Sequence, residues 1–578
     1  MKRLSFLSIT VSLFAIFGLS DPVEAANFTC TGGDVACLIA AINVANANGQ
    51  ANAISLAAGT YVLTSPDNTN ADGPNGLPSI TGSLIIAGAG DKITGIGRQD
   101  TAPAFRLIHV AATGNLTLQG VTLYGGGGDN LSFALPGSGL FNNGGAVTIT
   151  TVTISGNAVV DGQGGGIFNG GTMTINESAV TGNQTVRDNG GNIYNGGTMT
   201  ITSSTVSGGF TRCAGGGVAN GGTLRITNSS ITGNFATYCQ TGGGVFNFGT
   251  LTITNSTIAR NGKGDAGGGG ALTNLGVATI AKSTISSNSG GTDQGSGGVF
   301  NSGLLTIIDS TVGNNFGSGV ESGGLTNSGT VTITNSTFAE NRGGYVAGGI
   351  ANHSNGSITL RNTILAMNTI RFTTSESDCG GLIMSLDHNL IGTTTNCAVA
   401  LQSNDLTGDP GLDTLADNGK PGNGHFPLLP TSRAIDAGND AACPPTDQLG
   451  TPRIGHCDIG AIEFFVPVTI DIKPGNRPTS INPRSRADIP VAILTTPTFD
   501  ATLVDASTIR FGKFGTEAAA VHLAREDVNG DGILDMIFQF KTQDTGITCG
   551  GTSASLTGET LSKLAIYGTD VLVTVGCH

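Results

Sequence analysis

The chain contains no tryptophan, and only 11% of its 578 residues are charged. Disordered segments are rich in charge and poor in β-branched residues, so this composition excludes a largely disordered chain. Basic residues are the scarcer sign, 26 Lys and Arg against 40 Asp and Glu, for a formal net charge of −14. Nucleic-acid binding draws on a basic face, so no nucleic-acid partner is expected. No apolar period of 3.6 recurs, which argues against helical repeats. Beyond the first 26 residues no apolar run approaches the ~18 residues needed to span a bilayer. No CxxC or Cys/His spacing suggests a zinc site.

What is abundant is glycine, 93 residues, and repetition. An asparagine anchors each of nine copies: Asn142, Asn169, Asn195, Asn220, Asn247, Asn274, Asn301, Asn327 and Asn352. Successive anchors lie 25 to 27 residues apart. A fixed short period calls for a repeat architecture. Aliphatic residues recur two before each anchor (Val218, Val245), six after it (Ile226, Ile253) and eleven after it (Ile231, Ile258). Between them run TLTIT-like segments that alternate with period two and are rich in Thr and β-branched residues, the chemistry of strands. Three short strands and three turns per copy make one coil of a parallel β-solenoid, about 26 residues long. Stacked coils rise roughly 4.8 Å each, and their inward aliphatics form continuous columns.

Two further periodic positions invite structural readings. A second asparagine stands fourteen after the anchor (Asn183, Asn234, Asn261, Asn288, Asn315, Asn341), interrupted by Gly209. Such amides can bond from coil to coil as a turn ladder. Glycine occupies the fourth position before the anchor in eight of nine copies, which suits a tight or left-handed turn. The outward strand positions hold Thr, Ser and Asn, with no aromatic platform for a sugar ring.

The flanks differ. Residues 1–26 pair Lys2 and Arg3 with an apolar run and a small-residue cleavage site, the pattern of a secretion signal. Residues 27–138 read as an entrance to the solenoid, with a short helix near Cys37–Asn46 covering its open end; 139–368 hold the nine regular coils. The ten cysteines fall into local pairs: Cys30 with Cys37, Cys213 with Cys239, Cys379 with Cys397, Cys443 with Cys457, Cys549 with Cys577. An even number in an exported chain reads as disulfides.

Residues 369–465 leave the period and carry LADNG, AIDAG, TDQ-G-PR and CDIGA-E. With these motifs the chain resembles exported bacterial "choice-of-anchor Q" proteins, which bear β-helix repeats of the pectin-lyase-like kind, over about residues 27–465. The resemblance implies a right-handed helix and a surface or secreted location. Residues 467–578, with IDIKPG and IPVAIL, resemble a C-terminal β-domain appended to many exported bacterial proteins, which implies a small β-sandwich-like fold.

Chemistry has few places to sit. Asp527, Asn529, Asp531, the Ile533 carbonyl and Asp535 have the spacing of a calcium loop, with Gly532 at the turn. Phe538 stands where an EF-hand carries its bidentate glutamate, so a weak extracellular-type Ca²⁺ site is expected. Asp161, Asp188, Asp265, Asp293 and Glu321 fall eighteen to twenty residues after their anchors, a possible shared ligand rim with Arg187, Arg212 and Lys263 nearby. The solenoid from 139 to 368 has sixteen charged residues in all. His353, His388, His425, His456 and His522 are scattered, no Ser/His/Asp order stands out, and no catalytic residue is assigned. The expectation is an exported, non-catalytic adhesin or glycan-binding protein of the cell surface or matrix; the rival is a polysaccharide lyase or glycoside hydrolase.

Overall fold

The structure, a computed structural model, describes residues 26–577 apart from 129–134, 239–241, 265–266, 292–294 and 372–374. Strands from Asn27–Cys30 to Leu406–Thr407 build an all-β parallel solenoid of about 13 turns. The secretion signal and Cys239 lie outside the described residues.

One coil shows the local logic. Val245–Asn247, Thr250–Thr254 and Thr257–Ala259 are its three expected strands, and Gly262–Lys263 is a fourth. Alternation predicts only three, because a two-residue strand is too short to show a period. Asn247 pairs with Asn220 below and Asn274 above, so the anchors set the register. Inside, Val245, Leu251, Ile253 and Ile258 are at most 1% exposed. Each such side chain contributes roughly 1.5–3 kcal/mol by leaving water.

Buried polar columns close the turns. Each anchor amide donates to the next, with Nδ2–Oδ1 distances such as 2.7 Å from Asn142 to Asn169 and 2.9 Å from Asn327 to Asn352. The second asparagine column behaves alike, Asn234 to Asn261 at 2.9 Å and Asn341 to Asn368 at 3.0 Å. Its gap at Gly209 is filled from another position. Asn183 donates to Asn192 Oδ1 at 2.9 Å, and Asn192 Nδ2 donates to Asn234 at 3.0 Å. A Cβ on Gly209 would meet the Gly216 carbonyl oxygen at 2.2 Å and Asn192 Nδ2 at 2.5 Å, so position 209 has no room for a side chain and Asn192 supplies the amide. A serine column, not foreseen from the sequence, lines a third corner: the Ser256 amide donates to Ser283 Oγ at 3.2 Å, and neighbouring coils repeat the contact.

The recurrent glycine needs a corrected explanation. Gly243 and its equivalents do not have left-handed backbones. A Cβ on Gly243 would meet the Gly262 carbonyl oxygen at 2.2 Å, and one on Gly348 would meet the Thr369 nitrogen at 2.3 Å. Close approach of strands, not turn geometry, excludes a side chain. One left-handed corner is held by non-glycine residues, among them Asn228, Asn255, Asn335 and Asn362 at φ of 47–49°, and a second by Gly156, Gly182, Gly208 and Gly233 at φ of 60–63°. Asn tolerates that region better than most side chains.

Both flanks pack on this column. The helix Val35–Asn48 is capped by Asp34, whose carboxylate accepts from the Cys37 amide at 2.9 Å. It buries Leu38, Ala41, Ile42 and Ala45 over the first coils. Disulfides Cys30–Cys37, Cys379–Cys397, Cys443–Cys457 and Cys549–Cys577 are formed as expected. Residues 409–464 lie across the sheet of third strands. Gln448 is the peg: it accepts from Thr311 Oγ1 at 2.6 Å and donates to the Gly422 and Gly424 carbonyls at 2.8 Å. Residues 466–574 form two further sheets of five and four strands around a separate core that includes Val491, Phe511, Phe538, Leu556 and Ile566.

Asn192→Gly should lower unfolding stability by about 1–3 kcal/mol, because buried donors and an acceptor lose their partner. Adding Gly209→Asn should not restore it, because the new Cβ would still meet the Gly216 carbonyl oxygen at 2.2 Å. Urea midpoints followed by circular dichroism check this, and an unchanged midpoint in the single variant would refute the substitution.

Candidate functional site

Aromatic side chains do line one outward face, contrary to the sequence expectation. The residue before each anchor points away from the core, and in the early coils it is aromatic. His109, Phe141, Phe168 and Tyr194 stack in that order, with ring centroids 5.6, 4.7 and 5.3 Å apart and planes within 21°. The expectation failed because it rested on the five-residue strands, whereas these rings sit in three-residue strands such as Ile167–Asn169. Phe246 and Phe300 occupy the same position farther along. Phe168 and Tyr194 are partly exposed, while Phe141 is buried beneath its surroundings.

The first rung is fixed by polar contacts. A hairpin of Asn68–Asn70 and Gly73–Asn75 brings Asp72 over the face. Its carboxylate lies 3.1 Å from His109 Nε2 and accepts from Asn143 Nδ2 at 2.9 Å. Arg106 is fully buried, lies 4.4 Å over the Phe141 ring and donates to the Asp72 carbonyl. Burial lowers the Arg106 pKa to about 10, with Asp72 opposing. Burial also lowers the His109 pKa, against the hydrogen bond to Asp72, which favours a neutral ring. Tyr194 has its hydroxyl pKa raised by burial, with Gln163 opposing and Asp188 adding to the rise.

The expected acidic rim borders this face. Asp161 faces Arg187 Nη1 at 3.5 Å, both exposed, and Asp188 accepts from the Asn189 amide at 2.8 Å. Glu321 is buried and its Oε2 lies 3.6 Å from His353 Nε2. Asp265 and Asp293 lie outside the described residues. An exposed Asp–Arg pair of this kind adds little stability.

The expected calcium loop is an exposed turn in the C-terminal domain. Asp527 accepts from the amides of Gly530 and Gly532 at 2.8 Å, and Asp531 from that of Ile533 at 2.8 Å. Asn529 Nδ2 donates to Asp531 at 2.9 Å. Asp535 is buried, accepting from Thr495 and Val528 amides at 2.8 and 3.1 Å. Among the described residues no group of three or more His, Cys, Asp or Glu side chains stands in metal-holding geometry. The donor set is oxygen-rich and suits a hard cation, with the carboxylates engaged by turn amides.

The motif-bearing strap holds the densest charge. Arg453 Nη1 lies 3.1 Å from Glu463 and Nη2 lies 3.5 Å from Asp309, all nearly inaccessible to water. Asp447 and Asp458 are buried nearby and accept backbone amides. Burial raises Asp309 to about 6 and Glu463 to about 7, with Arg453 opposing both, and raises Asp458 and Asp447 as well. One guanidinium among four acids fits a structural clasp, and it lies beneath the strap rather than in a cleft. His456, beside it, is exposed and bonds Asp440 at 2.6 Å.

No protein-family model matches the sequence, and no curated protein aligns with it significantly. Solved structures with similar traces include pectate lyase Pel9A, at 15% identity and TM-score 0.36 over 76% of this chain and 96% of that one. The A-module of Azotobacter vinelandii mannuronan C-5 epimerase AlgE6 is 16% identical, TM-score 0.32, over 66% and 96%. The enzymatically active domain of bacteriophage CBA120 tailspike protein 2 is 11% identical, TM-score 0.29, over 96% and 77%. None of these likenesses is tight enough to carry an argument about activity.

The acid clasp has a pH signature. Its folded pKa values lie above the unfolded ones, so the native state binds protons more tightly. Its stabilisation is therefore complete below about pH 4 and is lost as pH rises through 6–7. His109, shifted the other way, opposes weakly between those limits. Calorimetric melting of the solenoid should be higher at pH 5 than at pH 8, and Glu463→Gln should flatten that slope. An unchanged slope would place the effect elsewhere.

Proposed function

We propose that this is an exported surface or matrix protein that binds glycan chains along the face bearing Phe168 and Tyr194, without cutting their backbone. The observation that carries the reading is the partly exposed Phe168–Tyr194 stack, an apolar ridge that crosses neighbouring coils. Phe168 and Tyr194 stack face to face, so their edges form an apolar ridge, and the C–H faces of sugar rings bury against it at about 25 cal/mol per Å² of apolar surface. A ridge that runs along the solenoid axis suits a polymer better than a single small molecule. Thr and Ser hydroxyls on adjoining strands and the Asp161/Arg187 edge supply hydrogen bonds. The motif resemblance to choice-of-anchor Q proteins and four disulfides typical of oxidising compartments support export. A backbone-cleaving lyase or hydrolase is the less favoured reading, since glycoside hydrolysis uses a pair of carboxylates facing one cleft. Asp161 is paired with Arg187 instead.

The full chain should be retained by at least one member of a polysaccharide panel in affinity electrophoresis, releasing no new reducing or unsaturated ends. Phe168→Ala with Tyr194→Ala should weaken retention roughly tenfold or more. Retention that ignores both substitutions, or new chain ends, would overturn the reading.

In the C-terminal domain we propose a weak calcium site at Asp527, Asn529, Asp531, the Ile533 carbonyl and Asp535. Three carboxylates in nine residues repel one another, and a cation relieves that repulsion. Millimolar calcium should raise one melting transition of the full chain relative to chelator, with a Kd of roughly 10⁻⁴–10⁻³ M, and Asp531→Ala should abolish the shift. Coincident melts with and without calcium would leave the loop an ordinary turn.

A further inference from the structure

The same lateral face carries a second constellation about five coils beyond Tyr194, on the order of 25 Å away. Asn327 and Asn352 are consecutive anchors joined at 2.9 Å, so the residues that follow them, Ser328 and His353, are stacked on neighbouring coils. Ser328 Oγ lies 3.2 Å from His353 Nδ1. The other ring nitrogen, Nε2, lies 3.6 Å from Glu321 Oε2. Glu321 is 7% exposed, and among the described residues that oxygen has no hydrogen-bond partner. Its backbone is held by the Gly344 amide at 3.0 Å and by its own bond to the Ser318 carbonyl at 3.2 Å. Ser328 and His353 are partly exposed, so a reagent reaches the hydroxyl. Among coils anchored from Asn142 to Asn352, no second serine has a histidine stacked on it at this turn.

We propose that Ser328, His353 and Glu321 form an ester-hydrolysing triad that removes O-acyl groups from carbohydrate. A hydroxyl becomes a nucleophile when a base accepts its proton and a third group orients that base. Here Nδ1 faces the serine, which requires the ring proton on Nε2, the atom turned toward the desolvated carboxylate of Glu321. An unpaired buried carboxylate is costly, and the imidazolium formed during the reaction is the partner it lacks. Ser328 Oγ bonds to the acyl carbon as Nδ1 takes the hydroxyl proton. Collapse breaks the ester C–O bond, and the departing alcohol takes that proton. Water, deprotonated by the same nitrogen, then releases the carboxylic acid and restores serine. Ester and water give acid and alcohol, and no oxidant, reductant or metal enters. Val320 and Tyr345, exposed on the stacked loops beside Glu321, offer an apolar lip for a short acyl chain.

The choice of carbohydrate esters rests on the proposed glycan-binding face; the triad itself does not. A fluorophosphonate probe on the full chain should therefore give a single adduct that maps to Ser328 by mass spectrometry. Hydrolysis of p-nitrophenyl acetate should fall about 10²–10⁴-fold in Ser328→Ala and His353→Gln. Ser328→Ala keeps the fold, because glycine fills the equivalent turn at Gly170 and Gly196. Glu321 acts through His353 as a positioning residue. Glu321→Gln should move the rising limb of the pH–rate profile to lower pH, and Glu321→Asp should partly reverse this, shifts that a merely structural role would not produce. No adduct on Ser328, or equal acetate release in Ser328→Ala and the parent chain, overturns the triad. Loss of glycan retention with Ser328 still labelled would instead overturn only the binding reading and the assignment to sugar esters.

Discussion

Everything in the solenoid depends on hydrogen bonds that run along its axis from coil to coil. A single coil buries too little to stand alone, and its turns leave polar groups that water cannot reach. The asparagine and serine columns satisfy those groups with the next coil's side chains, so stability is shared between neighbours. The same close stacking removes any room for a Cβ at Gly243 and its equivalents. Side chains that face outward are released from these demands, and on the face of three-residue strands that freedom is used for aromatic rings.

Much of this was legible because stacking imposes a period. The anchor asparagines, the inward aliphatics and the capping helix follow from spacing and alternation alone. What escaped was whatever has no period of its own. Asn192 fills a gap from a different position in its coil, and nothing in the sequence marks it as the replacement for an asparagine at Gly209. The aromatic row occupies strands too short to alternate. Glu321, Ser328 and His353 are close only because the turn after one anchor sits on the turn after the next. Knowing that anchors stack would have paired Ser328 with His353; the reach of the Glu321 loop required the structure.

Charge is sparse on this chain and is concentrated where it orders a contact. Around Arg453, four acids are held in a nearly dry environment by backbone amides and one guanidinium. Such an arrangement costs desolvation, and its stability is modest, but only one docking of residues 409–464 satisfies all of its partners. Gln448 adds the same selectivity without charge, bridging a solenoid threonine to two strap carbonyls. The strap covers the sheet of third strands and leaves the aromatic face free.

The second asparagine column has a direction and an end. Every amide in it donates forward and accepts from behind, until Asn368 donates to Asp378 Oδ1 at 2.9 Å. A carboxylate has acceptors and no donor, and Asp378 already receives the Asn368 and Thr393 amides as well. The relay cannot pass beyond it. Duplication of a whole coil anywhere between Asn157 and Asn368 preserves the order of donors and acceptors, whereas a coil added after Asp378 would begin with a broken chain. The terminal acid acts as a full stop written in side-chain chemistry, and the coils that follow it, from Cys379–Ser385 to Leu406–Thr407, lie beyond the reach of this column.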